Sequence, residues 1–257
     1  MSFLPPVPLI GSRPGAIALV GAGPGAADML TLRALDRLQN ADVVFYDRLV
    51  HPEVLALTQA RKVFVGKEVG ANAWPQERIN RVIVAAAMEG LRVVRLKSGD
   101  PSVFGRACEE LDAARHAGIE IEIVPGITAA SAAAASLGRP LTERGRTERL
   151  ILATATCRAG EAATIGAGFV PGTTLALYMA MHRLATVEAD LLATGAPEDC
   201  AVEFVQQAGT PVQRIVKTTL RGMSAAAEGL SNPAIILIRW PHMTHMAARP
   251  RALVATA

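Results

Sequence analysis

Aromatic residues make up only 4% of the 257 residues, and lysine and arginine form no run. Single-strand nucleic-acid binders need stacking rings, and duplex binders gather basic charge on one face, so a net charge of +3 does not indicate a nucleic-acid partner. Cysteine is almost absent. Cys108, Cys157 and Cys200 are odd in number and far apart, which excludes a disulfide framework and a clustered zinc site and leads us to expect a reducing, cytoplasmic setting. Long apolar runs are missing too. The stretch 123–138 is interrupted by Pro125 and Gly126, short of the roughly 18–20 apolar residues that a membrane span needs, so no membrane partner is expected. The opening MSFLPPVPLIGSRPG lacks a basic n-region and is broken by prolines, so it reads as a loose leader and not as a secretory signal.

What the chain does have is apolar residues to fill a core: 51% are hydrophobic and 19% charged. Short β-branched runs alternate with helical patterns. Strands are expected at 16–20, 41–46, 63–65, 92–96 and 119–124, with helices at 27–39, 76–89 (opened by Pro75) and 107–117 (closed by Gly118). This alternation implies a mostly parallel sheet with ligands at the carboxyl ends of its strands. Beyond a small-residue helix at 128–137 the spacing changes, with strands expected at 150–153, 173–179, 201–205, 214–218 and 234–238 and a helix at 182–194. We therefore expect a leader over 1–15, an N-terminal α/β domain over 16–140, a C-terminal domain with a mixed sheet over 141–240, and a peripheral tail over 241–257.

Three strand-to-helix turns carry the candidate chemistry. The first, VGAGPG over 20–25, fits the dinucleotide pattern, with Asp42 and Asp47 about 20 residues on. Pro24 weakens that reading, because it has no N–H to offer a pyrophosphate. Tight packing alone could also require these glycines. In the second turn, Ser98-Gly99-Asp100-Pro101, Gly99 could let a ligand approach the backbone and Asp100 could meet an amine or a ribose hydroxyl, or the segment could be only a turn. Downstream of it Glu110 is expected on a solvated helix face. The third, Val124-Pro125-Gly126-Ile127-Thr128-Ala129, points a helix N-terminus at the same edge, where an anionic group is favoured, although Thr128 could simply cap the helix.

The segments VGAGPG, DVVFYDRLV, VGKEVG, PQERIN, VVRLKSGDPSVFGR, EEL, VPGITAASAAAASLG and PLTERG, in this order, resemble the tetrapyrrole methylase family, most closely its members that C-methylate uroporphyrinogen III. Fainter echoes follow in LALYMAM and AVEFVQQAGTPVQR. The resemblance runs from about residue 16 to 240. It implies two α/β domains with an intervening cleft, a homodimer, and S-adenosylmethionine as methyl donor with no metal. It also implies two methyl transfers that convert uroporphyrinogen III to precorrin-2, on the route to sirohaem or cobalamin. It places Pro24, Ser98, Gly99, Asp100, Val103, Thr128, Ala129, Met179 and Gly209 against the cofactor. Asp47 and Lys67 fall at positions with acid/base roles, and Arg106, Glu109 and Arg144 at positions that touch substrate or assist proton removal. Arg48, Arg139 and Arg146 are further candidates for the substrate's carboxylates.

The chain departs from the family where the substrate is handled. The usual GKR-x-G-x-H reads Gly66-Lys67-Glu68-Val69-Gly70-Ala71-Asn72, the usual PLTHR carries Glu143, and the usual TGH reads Thr154-Ala155-Thr156. A related methylase acting on a different precorrin is therefore an alternative. Readings from other classes are an oxidoreductase binding NAD(P) and a tetrapyrrole carrier without turnover.

Overall fold

The computed structural model describes residues 15–66, 74–155 and 165–242. Lys67, Glu68, Asn72, Thr156, Cys157, residues 1–14 and the tail beyond 242 lie outside the described residues. The chain divides into two units, Met1–Ser136 with Gln207–Gln213, and Leu137–Gln206 with Arg214–Ala257.

In the first unit the elements run β1 (Ala16–Gly21), α1 (Leu32–Gln39), β2 (Val43–Tyr46), α2 (Pro52–Leu55), β3 (Arg61–Phe64), α3 (Gln76–Met88), β4 (Val93–Lys97), α4 (Ala107–His116), β5 (Glu120–Val124) and α5 (Ala129–Ser136). The five strands stand in the order β3-β2-β4-β1-β5 and every pairing is parallel. Alternate strand residues face opposite sides. Ala18, Val20, Val44, Val94 and Leu96 pack with Ala34 and Leu38 of α1 and Val54 of α2. Ile17, Leu19, Phe45 and Val93 pack with Ile79 and Ile83 of α3 and Ala107 and Ala114 of α4. Both faces are covered, which explains why β1 and β2 are nearly continuous apolar runs.

The helix expected over 27–39 is shorter than the sequence suggests. Ala27–Met29 form a single 3-10 turn and Leu30 is extended, after which the Thr31 hydroxyl accepts the Ala34 N–H at 3.1 Å and opens α1. The short helix α2 was not expected. It starts with Pro52 behind a His51 ring that accepts the Glu53 N–H at 3.4 Å.

The second unit contains β6 (Arg149–Thr154), β7 (Thr173–Tyr178), α6 (Leu184–Ala193), β8 (Ala201–Gln206), β9 (Arg214–Thr219), α7 (Met223–Ala226) and β10 (Ala234–Trp240). Its strand order is β6-β7-β10-β8-β9, with β6 and β7 parallel and the other pairs antiparallel. The mixed sheet expected from the sequence is present. Phe169, Leu175, Leu177, Leu191, Phe204 and Ile236 fill its core. That interior also holds a charge pair: Arg239 Nε meets Glu203 Oε2 at 3.1 Å, and Arg239 Nη1 donates to the Pro140 carbonyl at 2.9 Å. Both side chains are buried.

A buried pair is costly to break from one side, because the survivor keeps its desolvation penalty. Glu203→Ala is therefore expected to lower unfolding free energy by ~3–5 kcal/mol in denaturant titration, with most of the loss recovered when Arg239→Met is added.

Candidate active site at the carboxyl ends of the parallel sheet

The parallel register brings the carboxyl ends of all five strands to one edge: Gly21 pairs with Lys97, Tyr46 with Leu96 and Phe64, and Val20 with Val124. The central strands β1 and β4 are neighbours, yet they are followed by helices on opposite faces. Divergence of that kind opens a crevice outside the strand ends, the usual ligand position in such sheets.

At this edge the turns interlock through their backbones. Gly23 and Gly99 exchange hydrogen bonds of 3.2 and 2.7 Å, and the Ala22 N–H donates to the Lys97 carbonyl at 2.7 Å. A Cβ on Gly126 would fall 2.3 Å from the Gly99 oxygen, and one on Gly21 would fall 2.6 Å from the Gly126 Cα. Only glycine fits at 21 and 126. Gly99 is a different case: its φ is +72° and a Cβ there would meet nothing within 4 Å, so its face is open to an approaching group. The Asp100 carboxylate ties the turns together, with Oδ2 accepting the Gly126 N–H at 3.0 Å and Oδ1 accepting the Ser102 N–H at 2.7 Å and its hydroxyl. Its visible task is to hold two loops in register.

The turn between β8 and β9 belongs to the same unit and joins this edge. The Ala26 N–H donates to the Gly209 carbonyl at 3.2 Å. The Gln213 Oε1 accepts both the Gly209 N–H at 3.0 Å and the Ser136 hydroxyl of α5 at 2.6 Å. Pro24, Ser98, Gly99, Asp100, Val103, Thr128, Ala129 and Gly209 therefore lie on turns gathered around one edge of the first unit. Met179 lies in the second unit, just past β7, exposed and at φ +53°. Arg144 is also there, exposed in the turn closed by the Glu143–Thr147 bridge.

The acidic residues separate clearly. Asp42 sits at the amino end of β2, where its carboxylate accepts the Arg92 N–H at 2.7 Å and the Arg92 guanidinium at 2.8 and 3.0 Å. These hydrogen bonds hold its carboxyl down to about 2 from an ordinary 3.8. It is at the wrong end of the strand for the ribose of a dinucleotide. Asp47 follows the carboxyl end of β2 and meets Arg95 Nη2 at 3.1 Å.

Glu110 overturns the expectation of a solvated helix face: it is 0% exposed. On α4 it lies in the stripe of Ala107 and Ala114 that faces the sheet. There Arg95 Nε meets its Oε1 at 2.9 Å and Lys97 Nζ meets its Oε2 at 2.8 Å. Burial lowers the Lys97 pKa, helped by the Arg95 charge and opposed by Glu110. Arg95 and Lys97 were not among the residues expected from the sequence, although a signal was there. VVRLK places two cations on one face of a central strand, and a buried cation requires a buried anion.

Arg106 leads into α4 with φ +55°, and its guanidinium pairs with Glu109 through two contacts of 2.9 Å. Both side chains are exposed, so the pair contributes little to stability and is accessible to a ligand. Arg146 pairs with Glu143 at 3.2 Å and Arg139 faces Glu203 at 3.8 Å, whereas Arg48 is exposed. A concavity of about 420 Å³ lies at the opposite, amino edge of the sheet among Ala16, Asn40, Arg92 and Glu120, away from these turns.

Residues 16–224 match the family described as Tetrapyrrole (Corrin/Porphyrin) Methylases. A siroheme synthase of Edwardsiella ictaluri (strain 93-146) is 42% identical over 226 residues, which is 87% of this chain and 49% of that protein. The chain thus spans about half the length of the curated relatives it matches. Among solved structures, a uroporphyrin-III C-methyl transferase from Thermus thermophilus complexed with S-adenyl homocysteine superposes with a TM-score of 0.75 at 36% identity, over 88% of this chain and 97% of that one. A cobalt precorrin-4 methyltransferase, a cobalamin biosynthetic enzyme, does so with a TM-score of 0.76 at 31% identity, over 88% and 95%.

Two outcomes follow from the edge geometry. Gly126→Ala forces two turns apart and is expected to lower stability by ~1–3 kcal/mol in denaturant melts, the usual cost of overpacking; an unchanged midpoint would show that the turns do not interlock. Asp42→Asn removes a contribution that is complete above pH 3.8 and lost as pH falls through about 2, so variant and wild type should differ at neutral pH and converge in acid.

Proposed function

The chain belongs to the tetrapyrrole (corrin/porphyrin) methylase family, and from that membership we propose that it is an S-adenosylmethionine-dependent C-methyltransferase converting uroporphyrinogen III to precorrin-2 by two methyl transfers. The observation that carries this reading is the carboxyl edge of the parallel sheet, where glycine turns expose backbone in place of side chains. The open face of Gly99 admits a ligand against the Ser98–Asp100 backbone. The N-terminus of α5 comes to the same edge and suits the carboxylate of an amino-acid ligand. Pro24 withholds the N–H that a pyrophosphate would use. The residues proposed to hold the cofactor are Pro24, Ser98, Gly99, Asp100, Val103, Thr128, Ala129, Met179 and Gly209.

When bound, the sulfonium supplies a methyl group already activated for transfer. The protein then has to hold an electron-rich pyrrole carbon in line with it and keep water out. Methylation forms a carbon–carbon bond, breaks the sulfur–methyl bond and leaves a proton to be removed, a task suited to the Asp47 carboxylate or to Lys67. The acceptor carries eight carboxylates. Arg106 and Arg144 can bind these bidentately, with Glu109 holding the Arg106 fork. We propose a cytoplasmic homodimer. No helix among the described residues is long and apolar enough to cross a membrane.

A second reading, methylation of a different precorrin, is favoured by Asn72, Glu143 and Thr156 at positions where the family usually carries histidine. Incubation of the purified protein with uroporphyrinogen III and S-adenosylmethionine is expected to give a product heavier by two methyl groups in mass spectrometry. Failure to gain any methyl would overturn the first reading in favour of the second. Calorimetric titration is expected to register S-adenosylhomocysteine and not NAD.

A further inference from the structure

The β4 sequence Val93-Val94-Arg95-Leu96-Lys97 directs Arg95 and Lys97 to the sheet face covered by α3 and α4. There the charges close into a network: the side chains of Arg95, Glu110 and Lys97 are 4%, 0% and 7% exposed, and Asp47, at 31%, is the most exposed member, just past the carboxyl end of β2. Arg95 is held on several sides. Its Nε meets Glu110 at 2.9 Å, and its Nη1 donates to the Leu96 carbonyl at 3.0 Å and the Phe45 carbonyl at 3.4 Å. With the planar fork fixed at those points, Nη2 is left aimed at Asp47 Oδ2, 3.1 Å away. Glu110 is itself anchored, by both Lys97 contacts at 3.0 and 2.8 Å and by Gln76 at 3.3 Å.

We propose that Arg95 is a positioning residue for Asp47: clamped by Glu110 beneath the carboxyl edge, its guanidinium fixes the place and orientation of the Asp47 carboxylate. The inference rests on the reading above that gives Asp47 a part in proton transfer. Stability alone does not account for the network, because a buried ion cluster about breaks even with well-packed apolar residues of the same volume. The two cations and two anions balance, so the Asp47 carboxylate is held without a surplus buried charge. The scaffold also extends to the neighbouring candidate residues: Gln76 bonds Asn80 at 3.0 Å, and Asn80 donates to the Glu109 carbonyl at 3.0 Å, one helix position before Glu110. The supports of Asp47 and of the Arg106–Glu109 pair are thus a single hydrogen-bonded system spanning β2, β4, α3 and α4.

The test is a double-mutant cycle of Arg95→Met and Asp47→Asn on the full chain. It reads kcat and KM for methyl transfer to uroporphyrinogen III, S-adenosylhomocysteine affinity by calorimetry, and the thermal midpoint. Asp47→Asn is expected to lower kcat by ~10²–10⁴-fold, the range for loss of a general acid or base. Arg95→Met should lower kcat by ~10–100-fold with KM and S-adenosylhomocysteine affinity within about twofold, and the double variant should be no slower than Asp47→Asn alone. Losses that multiply, or an Arg95 effect confined to KM or cofactor affinity, would overturn the inference while leaving Asp47 its role. An Asp47→Asn variant with wild-type kcat, or a wild-type chain that transfers no methyl, would defeat the parent reading and this inference with it. Should Arg95→Met fail to fold, Arg95→Lys is read in its place: it keeps the buried charge but cannot bridge both carboxylates, so an unreduced kcat would overturn the inference.

Discussion

The Gly99 carbonyl oxygen lies where side chains of residues 21 and 126 would otherwise stand, and the arrangement of the candidate site follows from this close approach. Three strand ends can meet backbone to backbone only if no Cβ intervenes. Once they meet, the paired Gly23 and Gly99 amides and the Asp100 carboxylate lock the turns to one another. The edge so formed is rigid and made of backbone, with the open face of Gly99 exposed on it. Such an edge offers shape and main-chain polarity in place of side chains.

Beneath that edge lies a second constraint of a different kind. A central strand of a doubly covered sheet is normally apolar on both faces, and β4 carries Arg95 and Lys97 into that interior. Glu110 and Asp47 make the arrangement tolerable, and in doing so they connect the helix layer to the carboxyl edge. Close-packed glycine turns thus form the carboxyl edge, and a buried ion network holds the Asp47 carboxylate that follows β2. Arg239 and Glu203 form an equivalent buried pair in the second unit, where the first effect is on stability.

The alternation of strands and helices, the change to a mixed sheet in the second half and the positions of the glycine turns were all legible in the residues, because each depends on local pattern: period, glycine and proline placement, and helix-opening residues. The helix expected over 27–39 was misjudged because Thr31 offers a capping hydroxyl that competes with continued helix, a choice that apolar spacing does not report. Glu110 was misjudged for a related reason. Beside Glu109 it looks like half of a charged surface pair, and only the rotation of α4 on the sheet separates the exposed partner from the buried one. Asp42 and Asp47 are five positions apart in the sequence, yet the strand between them carries them to opposite edges of the sheet.

The sequence by itself determined the fold class, the order of the strands along the chain and the family. It did so because hydrophobic period and turn chemistry are local, and because a series of motifs in fixed order is far more specific than any single glycine turn. Tertiary structure alone decided which charged side chains are buried, which glycines are required by contact and which leave space, and which carboxylate reaches the carboxyl edge. Those properties depend on neighbours distant in the chain, such as Gly99 against Gly126 and Arg95 against Asp47 and Glu110, and such neighbours exist only once the strands have been laid side by side.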